Sequence, residues 1–217
     1  MVEIDLLAKY PKAKRDLEGR AQVKEENRKI ARQFGREFFD GNRDQGYGGF
    51  NYHSRFWTDV VQDMITHFKL SNSSSLLDVG CAKGFMLHDL KQALPKMVVA
   101  GVDISSYAVE NAMEDVKPFL KVADAKKLPF ADNSFDLVIA INTIHNLEEA
   151  ECFQAVKEIE RVSRGKGFIT VDAYRNEEEK KRMFMWNLTA KTIKSVEAWQ
   201  KFYKEAGYNG DYYWFIP

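Results

Sequence analysis

The sequence lacks several features that would place it in a specialised class of protein. It has only two cysteines, Cys81 and Cys152, so a framework of disulfides is excluded. Lys and Arg number 32, as do Asp and Glu, so no net charge attracts the chain to nucleic acid or an anionic membrane. No apolar run approaches the roughly 20 residues that cross a bilayer, and the first residues lack the apolar core of a signal peptide. We therefore expect a soluble, cytoplasmic protein without a membrane span.

Patterns typical of metal sites are also missing. No Cys/His cluster has the spacing of a zinc site, and no pair of aspartates suggests an obligatory magnesium ion. We therefore expect no bound metal. The 217 residues suffice for one sizeable domain with a buried core and a small appendage.

The first 50 residues differ in character from the rest. Residues 16–39 are rich in charge and carry an imperfect helical stripe of apolar residues, closed by Gly41. A loop rich in glycine and aromatic residues follows, and a clearer helical stripe runs from Trp57 to Phe68. We accordingly expect an N-terminal helical and loop extension over residues 1–55 and the main domain over residues 56–217.

From residue 75 onward, short apolar runs alternate with helical stretches. The predicted strands are Leu76–Val79, Val98–Val102, Phe119–Val122, Leu137–Ile141, Phe168–Val171 and Tyr212–Ile216. The predicted helices are Phe85–Leu94, Tyr107–Val116, Glu149–Val162 and a last helix that Ser195 caps and that ends at Ala206. This alternation predicts parallel strands joined by right-handed crossovers, hence a doubly wound α/β sheet with helices on both faces.

The loop after the first predicted strand is the strongest functional signal. In open α/β sheets, ligands bind beyond the carboxyl ends of the strands. Small residues at 80, 82 and 84 let the backbone turn tightly and approach a ligand, and Asp103 at the end of the second strand is placed to accept hydrogen bonds from ribose hydroxyls. The loop has Ala82 and Phe85 where a dinucleotide fingerprint has glycines, which weakens a nicotinamide assignment.

The segment LLDVGCAKGF, residues 76–85, resembles the first motif of class I (Rossmann-like) S-adenosylmethionine (SAM)-dependent methyltransferases, and specifically methyltransferases of type 11. GVDIS at 101–105 resembles their second motif, and ADAKKLPFADNSFDLVIA from residue 123 resembles the third and fourth. EIERVSRGKGFITV from residue 158 resembles the segment before the fifth strand, with Arg-Gly-Lys-Gly in place of the usual Pro-Gly-Gly. The resemblance covers roughly residues 57–175 and implies a mostly parallel, seven-stranded sheet.

The resemblance also implies a set of cofactor contacts. These would come from Asp78, Gly80, Cys81, Ala82, Gly84, Asp103, Ile104, Asp124, Ala125 and Asn142. The loop and Asn142 would hold the methionine half of SAM, Asp103 the ribose, and Ile104, Asp124 and Ala125 the adenine. Each acid has a structural alternative, because Asp78 and Asp103 can cap the next helices and Asp124 can serve a turn.

Catalysis would be an in-line displacement in which positioning supplies most of the acceleration. A general base is needed only when the acceptor must lose a proton, and His145 after the fourth strand is the first candidate, with His53 as a second. Either histidine can instead be structural: His145 can shape the pocket or cap a helix, and His53 can be an exposed loop residue. Tyr47 and Tyr52 are candidates for a lid, and Asp172 for the acceptor pocket; a structural apron over the sheet is the alternative for the first two.

These patterns predict a SAM-dependent methyltransferase that modifies a small molecule, such as a sugar or another oxygen or nitrogen nucleophile, and releases S-adenosylhomocysteine (SAH). Two alternatives stay open: an RNA-modifying methyltransferase, for which the charge balance is unfavourable, and a SAM-binding regulator without catalysis. We expect a monomer or a homodimer.

Overall fold

The computed structural model describes residues 1–11, 24–46 and 50–217. The helices are α1 (Lys24–Ala31), α2 (Arg36–Asp40), α3 (Ser54–Phe68), α4 (Phe85–Ala93), α5 (Ser106–Glu110), α6 (Glu149–Val162), α7 (Glu177–Trp186) and α8 (Val196–Ala206). The strands are β1 (Ser75–Val79), β2 (Val98–Asp103), β3 (Leu120–Val122), β4 (Leu137–Ile141), β5 (Gly167–Tyr174), β6 (Lys194–Ser195) and β7 (Asp211–Phe215).

These seven strands form one sheet, as the sequence predicts. Its order is β3-β2-β1-β4-β5, after which β7 pairs along most of β5 and β6 pairs with the last two residues of β5. Every pairing between these strands is parallel; Leu77 of β1, for example, is in register with Ala100 of β2 and Val138 of β4. All these carboxyl ends therefore open at one edge of the sheet, where a ligand site is expected.

Hydrophobic packing on both faces explains why the strands are near-continuous apolar runs. Leu77 and Val138 belong to a core shared with α6 and α8, which includes the buried Trp199. Leu76, one residue away on the other side of β1, packs with α3 and α4. The helices thus cover both faces, and the doubly wound α/β fold is confirmed.

One predicted helix is much shorter than expected. The pattern predicts a helix over Tyr107–Val116, but α5 ends at Glu110. Asn111 closes it by donating from its side-chain amide to the Tyr107 carbonyl, and the Met113 N–H donates instead to the carbonyl of Lys83. The segment after α5 is therefore drawn onto the loop that follows β1.

The N-terminal extension also departs from a single helix. In its described part, α1 and α2 are separated by Phe34, whose φ of 48° is incompatible with a continuous right-handed helix. Residues 16–23 of the predicted helix lie outside the described residues. Near the start of the chain, Glu3 forms a parallel bridge with Tyr212, so this part of the extension adjoins the sheet beside β7. The division at residue 55 stays a prediction.

Within these described ranges, no helix has both the length and the apolar character that a membrane span requires.

Candidate functional site

A cleft of about 1830 Å³ opens at the carboxyl ends of the strands. It exceeds the several hundred Å³ of a typical single-ligand pocket, so it has room for two ligands side by side. The predicted site residues that line it are Asp78, Gly80, Cys81, Ala82, Asp103, Ile104, Asp124, Ala125, Asn142, His145, His53 and Asp172. Gly84 and Tyr52 do not line it, and Tyr47 lies outside the described residues.

The loop between β1 and α4 turns through three residues with positive φ. Gly80, Ala82 and Gly84 have φ values of 84°, 50° and 76°, which matches the predicted alternation of small residues. The N–H groups of Gly80 and Cys81 both donate to the Val102 carbonyl, at 2.7 and 3.0 Å. A Cβ on Gly80 would lie 2.1 Å from Oγ1 of Thr143, so only glycine fits there.

Asp103 is held by the main chain of the two segments beside it. Its Oδ2 accepts from the Ala82 N–H at 2.8 Å, and its Oδ1 accepts from the Ser105 N–H at 2.9 Å. The side chain is buried, 8% exposed, and burial raises its pKa although these N–H groups oppose the shift. Each oxygen keeps a lone pair for a ligand. The predicted acid is thus a preorganised acceptor at the edge of the cleft.

Asp78 is the second buried acid, 5% exposed. Burial, and then the charge of Asp103, raise the pKa of its carboxyl to about 8. Among residues 1–11, 24–46 and 50–217, no donor lies within hydrogen-bonding distance of this carboxylate, which rules out a helix cap at this residue. A buried carboxyl group with no donor in a ligand cleft suits a cationic ligand group, such as the ammonium of an amino acid.

The residues predicted at the adenine end are less constrained. Oδ1 of Asp124 accepts from the Lys126 N–H at 2.9 Å, and its Oδ2 lies 3.4 Å from Lys126 Nζ. Asp124 therefore does serve a turn, while its side chain still borders the cleft. Ile104 is 57% exposed, unusually so for a large apolar side chain.

Asn142 ends β4 with a φ of 52°, a conformation that asparagine tolerates well. Its N–H donates to the Thr170 carbonyl, and its Oδ1 accepts from the Thr170 hydroxyl at 3.0 Å. β5 therefore fixes the direction in which the chain leaves β4 towards His145.

His145 is buried in the 3₁₀ turn Ile144–Asn146, which follows β4. Its Nδ1 accepts from the main-chain N–H of Asp172 at 2.8 Å. Burial lowers the pKa of the imidazole, and the Asp172 carboxylate opposes that shift. The structure thus brings two predicted acceptor-pocket residues into direct contact.

His53 and Tyr52 have structural partners. His53 is exposed and begins α3, where its Nδ1 accepts from the Arg55 N–H at 3.2 Å. The Tyr52 hydroxyl donates to Asp89 on α4 at 2.6 Å, so its ring lies outside the main cleft. The structural alternative for His53 gains support, although its ring still borders the cleft.

Lys83, which sequence reasoning missed, fastens the extension to the loop. Its buried Nζ donates to Asp40 Oδ1 at 2.6 Å and to the Phe50 carbonyl. The Tyr107 hydroxyl donates to Asp40 Oδ2 at 2.9 Å. Burial alone would raise the pKa of Asp40, but the hydrogen bonds from Lys83 and Tyr107 bring it below the usual value. In the sequence, the only sign of this role is a lysine among small residues, and no residue near it in sequence identifies Asp40 as its partner.

The extension also reaches the opposite side of the cleft. Nε of Arg28 donates to the Asn187 carbonyl at 3.3 Å, and Nη2 of Arg32 donates to the Ala190 carbonyl at 3.4 Å. Residues 24–46 therefore bridge from the loop after β1 to the segment after α7. We call these residues the N-terminal cover.

No group of three or more His, Cys, Asp or Glu side chains in the described part of the chain is arranged to hold a metal ion.

Comparison with known proteins finds a matching family for a little less than half of the chain. Residues 77–171, from β1 to β5, match the family described as "Methyltransferase domain". Residues 77–171 are thus similar to a methyltransferase domain, and the sheet has the class I methyltransferase fold. The cofactor implied by this domain is SAM.

Three curated relatives are similar to part of this chain. Malonyl-[acyl-carrier protein] O-methyltransferase of Legionella pneumophila is 39% identical over 74 residues, which cover 32% of this chain and 26% of the relative. The mouse mitochondrial arginine-hydroxylase NDUFAF5 is 34% identical over 89 residues (40% and 24%), and the Arabidopsis thaliana tRNA (carboxymethyluridine(34)-5-O)-methyltransferase is 30% identical over 131 residues (60% and 31%). The matches therefore span only a quarter to a third of these relatives.

A solved structure extends the similarity beyond the motifs. The crystal structure of MccD protein is 27% identical and superimposes with a TM-score of 0.54, over 67% of this chain and 68% of the other. The similarity therefore extends over about two thirds of each chain and indicates a common fold.

Proposed function

We propose that this chain transfers a methyl group from SAM to a small-molecule acceptor. One observation carries the proposal: the buried acids Asp78 and Asp103 flank the Gly80–Gly84 turn in a cleft that continues to His145 and Asp172. The first part offers the groups that a SAM molecule needs, and the second leaves space for an acceptor beside it.

The residues present fit this cofactor. Asp103 would accept from the ribose hydroxyls with its remaining lone pairs, and Asp78, which has no donor within the described residues, would face the methionine ammonium. The loop from Gly80 to Gly84 and Asn142 would enclose the methionine half. Ile104 would pack on the adenine, with Asp124 and the Ala125 N–H at its polar edge. When bound, SAM supplies a methyl group activated by its sulfonium.

The chain's own contribution is positioning and exclusion of water. Holding acceptor and donor in line replaces a bimolecular encounter by an oriented one. The N-terminal cover bridges the cleft from Asp40 at one side to Arg28 and Arg32 at the other, so it is placed to close over bound ligands. The extension over residues 1–55 would thus act as the lid of the domain in residues 56–217.

A small acceptor agrees with the balanced charge, because an RNA substrate favours a basic surface. Two of the relatives are named for O-methylation, one of a carrier-protein-bound malonyl group and one of a tRNA. The third is named a hydroxylase, so product analysis must accompany binding.

Calorimetric titration with SAH tests the cofactor site. Asp103→Ala should weaken SAH binding at least tenfold, because it removes two hydrogen bonds to a charged group that are worth about 1.5 kcal/mol or more each. Asp124→Ala, which alters a half-exposed turn residue, should have a smaller effect.

Equal affinities of the wild type and the Asp103→Ala variant would refute the ribose assignment. Detection of SAH by mass spectrometry after incubation with SAM and candidate acceptors then separates an enzyme from a SAM-binding regulator. A chain that binds SAH tightly but never forms it from SAM would contradict the enzyme assignment.

A further inference from the structure

Main-chain groups fix the position of His145. Its Nδ1 accepts from the Asp172 N–H at 2.8 Å, and its carbonyl accepts from the N–H groups of Lys191 and Thr192, each at 2.9 Å. The side chain is only 4% exposed. The ring cannot turn over without leaving the buried Asp172 N–H unpaired, which is costly.

This arrangement determines where the imidazole proton lies. A main-chain N–H only donates, so Nδ1 must present its lone pair and the neutral ring carries its proton on Nε2. An imidazolium would place a second proton on Nδ1, directly against the Asp172 N–H. Burial also lowers the pKa of His145, against the opposing charge of the Asp172 carboxylate 3.8 Å from Nδ1. The ring is therefore a neutral hydrogen-bond donor.

The donor is available to a ligand. In the chain outside residues 12–23 and 47–49, no acceptor is hydrogen-bonded to Nε2 of His145, and the ring lines the cleft. Beyond β5, Arg175 and Arg182 line the same cleft. Among the residues that the structure describes, their guanidinium groups have only long ion pairs, at 3.6 Å to Glu3 and 3.9 Å to Glu178. The cleft thus offers a neutral N–H donor at His145 and, beyond the end of β5, two cations with long ion pairs.

We propose that His145 is a positioning residue that donates from Nε2 to an oxygen of the acceptor, and that the acceptor is a carboxylate. The inference rests on the proposed methyltransferase function and adds the class of acceptor. A ring with Nε2 protonated and Nδ1 occupied cannot remove a proton, so an alcohol that depends on this ring for deprotonation is disfavoured and an oxygen nucleophile that is already ionised when it binds is favoured. A carboxylate meets that condition at neutral pH, whereas an alcohol does not.

The reaction balances without a base. A carboxylate oxygen forms the new bond to the methyl carbon, the carbon–sulfur bond of the donor breaks, and its electron pair remains on sulfur. The products are a methyl ester and SAH, and no proton is released. The role of His145 is to orient the carboxylate, with Arg175 and Arg182 balancing its charge.

Two substitutions separate the functions of the two ring nitrogens. His145→Gln retains an N–H donor near the position of Nε2, whereas His145→Asn retains an acceptor for the Asp172 N–H and loses the donor. Benzoate and benzamide serve as probes, because they have nearly the same shape and only benzoate is charged. Their binding to the SAH-saturated protein is measured by calorimetry.

We expect benzoate to bind the wild type and His145→Gln with affinities within about threefold, and His145→Asn about tenfold more weakly, the loss of one hydrogen bond to a charged group. Benzamide should bind more weakly than benzoate throughout. The proposal would be overturned if benzoate affinity fell equally in both variants or fell in His145→Gln alone. It would also be overturned if the two probes bound equally well, or if benzoate did not bind at millimolar concentration.

Nitrogen-15 NMR of the imidazole rings gives a readout that does not depend on ligand. The signals of His145 are those missing from both variants, among the four histidines of the chain. We expect an unprotonated Nδ1 and a protonated Nε2; a proton on Nδ1 would overturn the donor role. Failure of SAH to bind would instead refute the proposed function, while this spectrum would still decide the state of His145.

Discussion

We proposed that one half of the cleft holds the cofactor and the other the acceptor, and we call them the cofactor half and the acceptor half; they differ in how their polar groups are held. In the cofactor half, Asp103 is bound by the N–H groups of Ala82 and Ser105, which belong to the loop after β1 and the turn after β2. In the acceptor half, His145 depends on Asp172 at the end of β5 and on the main chain at residues 191 and 192. The polar groups of the first half lie in two short motifs at the ends of β1 and β2, whereas His145 is held by β5 and by the segment before β6.

This difference teaches where a sequence motif is informative. A turn of small residues followed by a helix is formed by residues adjacent in sequence, so the residue types predict it directly. A histidine whose protonation depends on a main-chain group 27 residues away has no local signature. If the cofactor half is formed by its own short motifs, substitutions there should have large effects that do not depend on the acceptor half.

The largest effect is expected for Gly80→Ala. The new Cβ would lie 2.1 Å from Oγ1 of Thr143 at a φ of 84°, so both a clash and backbone strain arise. We expect the free energy of unfolding to fall by about 3 kcal/mol, measured by urea denaturation. Gly165→Ala is the control, because it has a φ of 95° but no atom within 4 Å of the added Cβ. Gly165→Ala should lower the free energy of unfolding by only about 1 kcal/mol. Equal losses in the two variants would show that the Thr143 side chain moves away from the new Cβ at little cost.

A smaller effect is expected for Lys83→Met. This variant removes a buried ammonium, so Asp40 and the Phe50 carbonyl both lose the hydrogen bond that they accept from it. Breaking this pair should lower the opening free energy of α2 by about 2 kcal/mol, measured by native-state hydrogen exchange. That result would show that the N-terminal cover is anchored to the loop after β1 through Lys83. Lys180→Met, which breaks an exposed pair with Glu177, should change exchange by less than about 0.5 kcal/mol. Unchanged protection of α2 in Lys83→Met would show that the cover is held by other contacts.

The third prediction concerns the pH dependence of cofactor binding. The pKa of Asp78 is raised to about 8, so at pH 7 the carboxyl group is mostly protonated, and an ammonium ligand should expel the proton. SAH affinity should rise by up to about tenfold per pH unit between pH 6 and 8, with uptake of the released proton by the buffer visible in calorimetry. Asp78→Asn should abolish the proton release. A pH-independent affinity of the wild type would place the ammonium elsewhere.

The same pKa shift affects the protein without ligand. A carboxyl group whose pKa is raised on folding adds stability that is fully present below its unfolded pKa of about 3.9 and is lost as the pH rises through 8. SAH should therefore stabilise the protein more at pH 8 than at pH 6.

Much of the sheet could be predicted because its strands are short apolar runs. Such runs are typical of strands that are buried on both faces of a sheet. β4 and α6 have the predicted bounds, and Ser195 caps α8 as expected. The pattern could not anticipate α5, because its end is set by a hydrogen bond from Met113 to the loop after β1. Helix α7 was missed because its charged sequence has a weak apolar stripe, with Met183 as its one fully buried side chain.

The candidate site divides in the same way. The small residues at 80, 82 and 84 could be located because the residue types of the turn create its geometry, and Asp103 because it ends a predicted strand beside that turn. The tautomer of His145 and the partner of Lys83 could not, since both depend on which distant segments the fold brings together. Their roles in binding and transfer stay predictions.

The bridge between Glu3 and Tyr212 has a practical consequence for a truncation that tests the proposed lid. The Ile4 N–H donates to the Tyr212 carbonyl and the Tyr212 N–H donates to the Val2 carbonyl, so residues 2–4 act as a short further strand alongside β7. Cutting away the whole extension would expose the main-chain groups of β7 as well as uncovering the cleft. An informative deletion removes only part of residues 24–46 and leaves residues 2–4 joined to the sheet.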